Sequence, residues 1–223
     1  MELTLLCSAG LALTYGDSVL LVDVPNGVQP PFYTLPDNVW QEIYARKAPY
    51  DKVCGFWITH DHPDHFDRVR MEAYHKRWPQ IPIFLPDLFP ATGNVRMGPF
   101  RIRYRRVEHA PIPDAPLHVI SLITAGEKRI YLPADAVLDP APHREFLQGE
   151  ACAAAVWNPM FLSRPETRAL MRQTAPCNLI YHLPPERPDA AGLWKKVENN
   201  LLHYGAELQT VRLLEGFPAT AEI

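Results

Sequence analysis

The chain has 223 residues, a formal net charge of −3 and a hydrophobic fraction of 47%. This length predicts one domain spanning residues 1–223 with a sizeable buried core. The small net charge provides no general basic field, so we expect neither nucleic acid nor an acidic membrane as a partner. No apolar run approaches the roughly 18 residues that a membrane span needs.

The cysteines and the start of the chain indicate a compartment. The four cysteines are Cys7, Cys54, Cys152 and Cys177. Most lie in strand-like apolar runs, and none forms the close pair that a structural zinc knuckle needs. The start, Met1 to Thr4, lacks the basic region of a signal peptide and is predicted as part of the first strand. We therefore expect reduced thiols and a cytoplasmic location.

The first predicted elements are short strands that form a meander. They are Leu3 to Cys7, Ala12 to Tyr15 and Val19 to Asp23, with glycine turns between them. A loop rich in proline and aromatic residues covers positions 25–36. Asp37 then caps a helix that continues to about Lys47. The apolar run Val53 to Ile58 is typical of a buried strand.

The segment directly after that strand, residues 60–65, reads His-Asp-His-Pro-Asp-His. Imidazoles and carboxylates at this density suit a divalent first-row metal such as zinc, manganese or iron. Packing alone does not explain the carboxylates, because burying them without a partner costs on the order of several kcal/mol. The segment therefore predicts a metal site at the end of a strand.

The rest of the chain alternates strands with helices. We predict strands at Ile81 to Leu85, Phe100 to Val107, Leu117 to Thr124, Lys128 to Leu132, Ala153 to Trp157, Asn178 to Tyr181 and Glu207 to Leu213. We predict helices from about His65 to Arg77, Pro142 to Gln148, Pro165 to Gln173 and Ala190 to Tyr204. Strands followed by alternating strands and helices, twice over, predict a layered α/β (α+β) protein.

The segment fits the pattern His-x-His-x-Asp-His, and it resembles the metallo-β-lactamase-fold superfamily of metal-dependent hydrolases. The positions of the pattern are filled by His60, His62, Asp64 and His65. The resemblance implies a four-layer αβ/βα sandwich with the metals at one edge. It also implies further ligands just past later strands, and the candidates are His109, Asp135 and His182. Ala134 stands where this family often has glycine.

The resemblance also implies how the ligands divide. His60, His62 and His109 would hold one metal, Asp64, His65 and His182 a second, and Asp135 would bridge them. The implied cofactors are two divalent ions, zinc first and manganese or iron as alternatives, which share a hydroxide that attacks a carbonyl or phosphorus. Asp64 and Asp135 are the candidate catalytic residues. In phosphodiesterase relatives, the aspartate that corresponds to Asp64 is also discussed as a proton carrier. Asp61 and Asp23 are candidates for orienting the metal-bound imidazoles.

Two loops are candidate walls of a substrate pocket. One holds Phe32 and Tyr33, and the other begins at Trp157. Arg164, just beyond the second loop, is a candidate contact for a substrate phosphate. Plain hydrophobic packing is the alternative explanation for both loops.

The leading hypothesis is a dinuclear hydrolase of a small ester, lactone or phosphoester. In length and layout, the chain looks most similar to compact lactonase-type hydrolases related to ascorbate-phosphate lactonase. The first alternative is a phosphodiesterase or nuclease-like hydrolase of cyclic or nucleic-acid-derived phosphodiesters, although no inserted basic arm is present. A metal-dependent binding domain without turnover is the alternative of another class. The expected partner is a small-molecule substrate, and homodimers are common among similar proteins.

Overall fold

A computed structural model describes residues 1–223 as two β-sheets with five α-helices. The strands are β1 (Glu2–Leu5), β2 (Leu11–Tyr15), β3 (Ser18–Val22), β4 (Val53–Trp57), β5 (Ile83–Phe84), β6 (Thr92–Met97), β7 (Phe100–Val107), β8 (His118–Ala125), β9 (Lys128–Ala134), β10 (Ala154–Trp157), β11 (Cys177–Ile180), β12 (Thr210–Leu213) and β13 (Ala219–Glu222). The α-helices are α1 (Asp37–Tyr44), α2 (Arg68–Arg77), α3 (Pro140–Leu147), α4 (Pro165–Thr174) and α5 (Leu193–Tyr204). Short 3₁₀ helices cover Tyr50–Lys52, Pro159–Ser163 and Gly205–Glu207. No helix is both long and apolar enough to cross a membrane.

The strand order brings several strand ends to one edge of the molecule. The first sheet runs β13-β1-β2-β3-β4-β5, and the second runs β12-β11-β10-β9-β8-β7-β6. Pairing is parallel from β3 to β5 and from β9 to β12, and antiparallel elsewhere. Since the carboxyl ends of parallel strands meet at the same edge of a sheet, the loops after β3 and β4 start together, as do those after β9, β10 and β11.

Strand alternation explains why each sheet is covered on both faces. Successive side chains of a strand point to opposite faces. In β4, Trp57 belongs to the apolar core between the sheets, whereas Phe56 packs in the core beneath α1 and α2. In β9, Leu132 points into the core between the sheets and Tyr131 into the core beneath α3, α4 and α5. The four-layer αβ/βα sandwich is therefore confirmed.

Several features differ from the sequence prediction. Asp37, which was predicted to cap α1, is instead its first residue after Pro36, and the helix ends at Tyr44 rather than near Lys47. Strands β6 and β13 were not predicted, because both are edge strands with exposed polar positions whose pairing depends on distant partners. Leu3 of β1, for instance, pairs with Ala221 of β13. Helix α2 begins at Arg68 rather than near His65, and its N-cap is Asp67, whose side chain accepts the backbone N–H of Arg70 at 3.0 Å. The residues before that cap therefore form an irregular loop.

Candidate metal centre

The loops that follow β4, β7, β9 and β11 bring all seven predicted ligands together at one edge of the sandwich. One group consists of His60, His62 and His109, and the other of Asp64, His65, Asp135 and His182. Within each group, the donor atoms lie within 4.8 Å of one another. Side chains far apart in the sequence thus form the two donor sets that the resemblance implies.

Asp135 lies between the two groups. Its Oδ2 atom is 4.0 Å from Nε2 of both His60 and His109, which belong to the first group. The same oxygen is 3.4 Å from Nε2 of His65, and Oδ1 is 3.4 Å from Nδ1 of His182. Burial opposes ionisation of this carboxyl, but the neighbouring His182 and His65 hold its pKa well below the usual range. The ionised form of Asp135 is therefore favoured, and its carboxylate lies between the two groups.

Asp23, which follows β3, orients His65. The fully buried Asp23 carboxylate accepts hydrogen bonds from the backbone N–H of Thr59 at 2.7 Å and from its hydroxyl at 2.8 Å. Its Oδ2 atom also lies 2.9 Å from Nδ1 of His65, which leaves Nε2 of that ring facing the site. A carboxylate on the far nitrogen fixes the orientation and tautomer of a metal-binding imidazole. Asp23 is thus placed to orient His65, one of the candidate ligands.

The histidines of the first group also present one ring nitrogen each. His109 donates from Nδ1 to the carbonyl oxygen of Ala110 at 2.7 Å, which leaves Nε2 free. Nε2 of His60 and Nδ1 of His62 lie 3.1 Å apart. Burial, followed by the charges of neighbouring histidines, lowers the pKa of His60 well below its usual value. The neutral imidazole that metal binding requires is therefore favoured at His60.

Several buried nitrogen and oxygen atoms that could bind a metal have no hydrogen-bond partner at this centre. They include Oδ1 of Asp64, Nε2 of His65 and Nε2 of His109. Each unpaired buried polar atom costs about 1–3 kcal/mol, so three at one site are not explained by packing. Imidazole nitrogens and carboxylate oxygens are donors that divalent first-row metals accept. The residues present therefore fit a pair of divalent cations.

Two residues that the sequence analysis did not assign hold Asp135. Asn158 accepts the backbone N–H of Met160 at 2.9 Å through Oδ1, which turns its Nδ2 toward Asp135 Oδ1 at 2.6 Å. The buried His118 accepts the backbone N–H of Asp135 at 3.1 Å through Nε2. Asn158 directly follows β10, so the rule that identified the ligands would also have found it. His118 begins a strand and carries no comparable signal.

Three strand ends at the site have left-handed backbone. The φ angles are 52° at Asp23, 47° at Ala134 and 60° at His182. A non-glycine residue in this region costs on the order of 1 kcal/mol, and such strain concentrates at functional sites. Ala134, which stands where glycine was expected, therefore keeps the glycine conformation despite its buried methyl group.

A cavity of about 350 Å³ opens over the two groups. Its apolar lining includes Phe32, Ile112, Leu138, Met160, Phe161 and Leu193. Phe32 lies where a pocket wall was expected, and its ring centroid is 4.1 Å from that of His182. Gln29 and Lys196 add polar groups. The centre thus faces a small chamber with one polar end and apolar walls.

Two aromatic residues proposed as pocket walls do not line this cavity. The ring of Tyr33 stacks on Phe217, with centroids 4.4 Å apart. Trp157 is fully buried beneath the helices of the second sheet, where its indole N–H donates to Asn178 Oδ1 at 2.8 Å. Both predictions are corrected to structural packing, which was the alternative considered for these loops.

Two charged residues also lie outside the site. Arg164 is exposed and immediately precedes α4, away from the cavity lining. The exposed carboxylate of Asp61 accepts a hydrogen bond from Arg68 at 2.5 Å and touches none of the imidazoles. Asp61 was expected to orient a ligand. Of the two candidates, only Asp23 is buried beside a histidine.

Neither a protein-family model nor a curated protein matches the chain. Solved structures match it over its whole length. The metallo-beta-lactamase fold protein YhfI from Bacillus subtilis aligns with a TM-score of 0.66 at 17% identity, covering 100% of this chain and 99% of its own. An isothiocyanate hydrolase from Delia radicum gut bacteria gives 0.66 at 16%, and a possible metal-dependent hydrolase from Veillonella parvula gives 0.69 at 14%, with the same coverages. This chain therefore has the metallo-β-lactamase fold.

Proposed function

We propose that this protein is a metal-dependent hydrolase with a dinuclear site. The observation that carries the proposal is the position of Asp135, whose carboxylate lies within 4.0 Å of histidines from both donor groups. A carboxylate that serves two cations is typical of sites in which paired ions act on one substrate. The buried donor atoms that lack hydrogen-bond partners support the same arrangement.

The proposed ligand sets follow from the two groups. His60, His62 and His109 hold one ion, Asp64, His65 and His182 hold the other, and Asp135 serves both. When bound, such ions polarise the reacting oxygen and lower the pKa of water to about 7. Zinc is the proposed metal, with manganese and iron as alternatives that the same donors accept.

The residues of the chain provide orientation and proton handling. Asn158 contacts both Asp135 and His182, at 2.6 and 3.3 Å, and so fixes their relative positions. Burial raises the pKa of Asp64, but the hydrogen bond from His182 and the charges of His65 and His182 together outweigh it, and the net shift is downward. Asp64 is therefore ionised at neutral pH. In the first proton transfer of the reaction it accepts the proton and does not donate it. Phe32 and the other apolar walls exclude water around the substrate.

The proposed substrate is a small electrophilic ester or lactone. The cavity of about 350 Å³ lies at the lower end of the range for small-molecule sites. Two of the similar structures carry names that describe hydrolysis, of isothiocyanates in one case. A second candidate is a small phosphodiester, because the cavity contains the cationic Lys196.

Metal content tests the proposal first. We expect elemental analysis to give about two equivalents of metal per chain, and chelation to abolish turnover that metal then restores. His62→Ala should abolish activity and leave the fold intact, since His62 lies on a loop beyond a packed strand. His203→Ala, an exposed histidine on α5, is the matched control and should keep both metal and activity.

Substrate panels then separate the two candidates. Turnover of lactones and aryl esters supports the first, and turnover of bis-p-nitrophenyl phosphate alone supports the second. A protein that holds two ions yet turns over neither class would be a binding domain, and the hydrolase proposal would be wrong. One equivalent of metal or none would contradict the dinuclear site.

A further inference from the structure

The cavity over the metal centre contains a single cationic side chain. Lys196 is the only lysine or arginine among its 19 lining residues. Two arginines in the C-terminal part of the chain are paired with carboxylates: Arg187 contacts Glu198 at 3.0 Å, and Arg168 contacts Glu207 at 3.1 Å. Lys196, by contrast, has no carboxylate within salt-bridge distance. Its ammonium group is therefore available to a ligand.

Helix α5 fixes the position of Lys196 at the cavity. Leu193 and Lys196 are three residues apart, so they lie on the same helical face, and both line the cavity. The adjoining face of the helix is anchored by Trp194 and Val197, which are buried in the core of the second sheet. Asp189 accepts the backbone N–H groups of Leu193 and Trp194 at 3.0 and 2.8 Å, which fixes the start of the helix.

The other lining groups indicate what this ammonium would bind. The acidic side chains of the cavity, Asp64 and Asp135, both belong to the proposed ligand sets and are committed to cations. The walls between consist largely of apolar residues such as Ile112 and Met160. With the two proposed divalent ions bound, their charge would exceed that of Asp64, Asp135 and the buried Asp23 behind His65, so the chamber would be net positive, and Lys196 is the cation left uncommitted. Such a chamber favours an anionic ligand over a neutral one.

We propose that Lys196 binds an anionic group, a carboxylate or a phosphate, on a small substrate with an apolar body. The inference rests on the hydrolase function proposed above and narrows its substrate class. The anionic group binds at α5 while the reacting bond lies at the two donor groups. Lys196 thereby selects among small esters by charge.

A matched pair of esters tests this selection in the metal-loaded protein. 4-Acetoxybenzoate and 4-methylphenyl acetate share the reacting acetyl group and differ at the para position, which is a carboxylate in one and a methyl group in the other. We expect Lys196→Met to lower kcat/KM for 4-acetoxybenzoate by about tenfold and to leave the neutral ester unchanged, since a charge-assisted contact is lost only in the first case. Lys195→Met is the matched control, because Lys195 is exposed and does not line the cavity.

Calorimetry supplies a readout that does not depend on turnover. 4-Hydroxybenzoate and phenyl phosphate are titrated into the metal-loaded wild-type protein and both lysine variants. Weaker binding in Lys196→Met alone, by about tenfold for one of the two anions, supports the proposal and identifies the anion. Failure of the wild type to bind either anion, no loss in Lys196→Met, or equal loss in both variants would overturn it. If binding depends on Lys196 but no ester or phosphodiester is hydrolysed, the anion site stands and the hydrolase function fails.

Discussion

The two sheets contribute to the metal centre in different ways. The first sheet supplies its donors from one continuous loop after β4, namely His60, His62, Asp64 and His65. The second sheet supplies isolated residues from three loops, namely His109, Asp135 and His182. A continuous loop sets most of its own geometry, whereas isolated ligands depend on the docking of whole strands. The second half of the site is therefore the part that requires the complete fold.

The supports of the two halves differ in the same way. In the first sheet, the buried carboxylate of Asp23 holds both Thr59 and His65, so one charged group orders the loop. In the second sheet, neutral groups hold Asp135: the amide of Asn158 and the imidazole of His118. Asp135 in turn contacts histidines from both halves. The contrast identifies Asp135 as the residue that links the site's two halves and Asp23 as the residue that orders the loop of the first sheet.

Removing the joining residue should have the largest effect. We expect Asp135→Ala to lower metal occupancy at both positions and to abolish turnover, because the proposed bridging carboxylate would serve both ions. Elemental analysis and a metal-loaded crystal structure measure this directly. Asp61→Ala is the control, since Asp61 is an exposed carboxylate of the same region that contacts Arg68 only. Loss confined to one ion would show that Asp135 does not bridge.

Replacing Asp23, which orders the loop of the first sheet, should affect the ion beside His65 more than the other ion. We expect Asp23→Ala to weaken metal binding by about 10–100-fold, because His65 loses the carboxylate that orients it. The backbone N–H of Thr59 is also left unpaired in a buried position, which lowers the free energy of unfolding by about 1–3 kcal/mol. Metal competition titrations and chemical denaturation measure the two effects. If the ion held by His60, His62 and His109 were lost first, the assignment of Asp23 to the second ion would be wrong.

Local patterns predicted most strands and helices and the donor segment after β4, whereas the four-layer arrangement and the candidates His109, Asp135 and His182 were implied by the resemblance to the metallo-β-lactamase-fold superfamily. Apolar strands ending in polar loops mark the edge where parallel strands terminate, and each candidate ligand directly follows such a strand. The segment after β4 needed no long-range information, since its donors are contiguous. The structure brings the three later candidates to the same edge, as the four-layer arrangement of strands requires.

The pocket walls were harder to predict because they depend on which face a side chain occupies. Val156 and Trp157 are both apolar, so the sequence does not indicate which one points toward the core between the sheets. The structure places Val156 there and turns Trp157 toward the helices. Lys196 was missed for a related reason, because an exposed lysine on a helix has no pattern that distinguishes it from its neighbour Lys195. Such positions are settled by tertiary packing.

The support of Asp135 by neutral groups should be weaker than the support of His65 by Asp23. We expect Asn158→Ala to weaken metal binding by about tenfold, at the lower end of effects for groups that orient ligands. Asn178→Ala is the matched control, because this buried asparagine on the neighbouring strand binds the indole of Trp157 and not the centre. It should lower the free energy of unfolding without changing metal affinity. Equal metal affinity in the two variants would show that Asn158 does not support metal binding.

The smallest effect is expected at the contact where the first half of the site touches the second. Phe32 belongs to the loop after β3, yet its ring lies against His182 from the second sheet, with centroids 4.1 Å apart. An aromatic contact of this kind contributes about 0.5–1.5 kcal/mol beyond burial. Because Phe32 also lines the cavity, loss of a comparable aromatic contact with the substrate in Phe32→Leu should raise KM for the ester panel by about three- to tenfold with kcat nearly unchanged. Tyr33→Leu, which removes the neighbouring ring that stacks on Phe217, should lower the free energy of unfolding and leave KM unaltered. If kcat fell and KM stayed constant in Phe32→Leu, the ring would act on the orientation of His182 and not on the substrate, and the two halves would be coupled through the ligand itself.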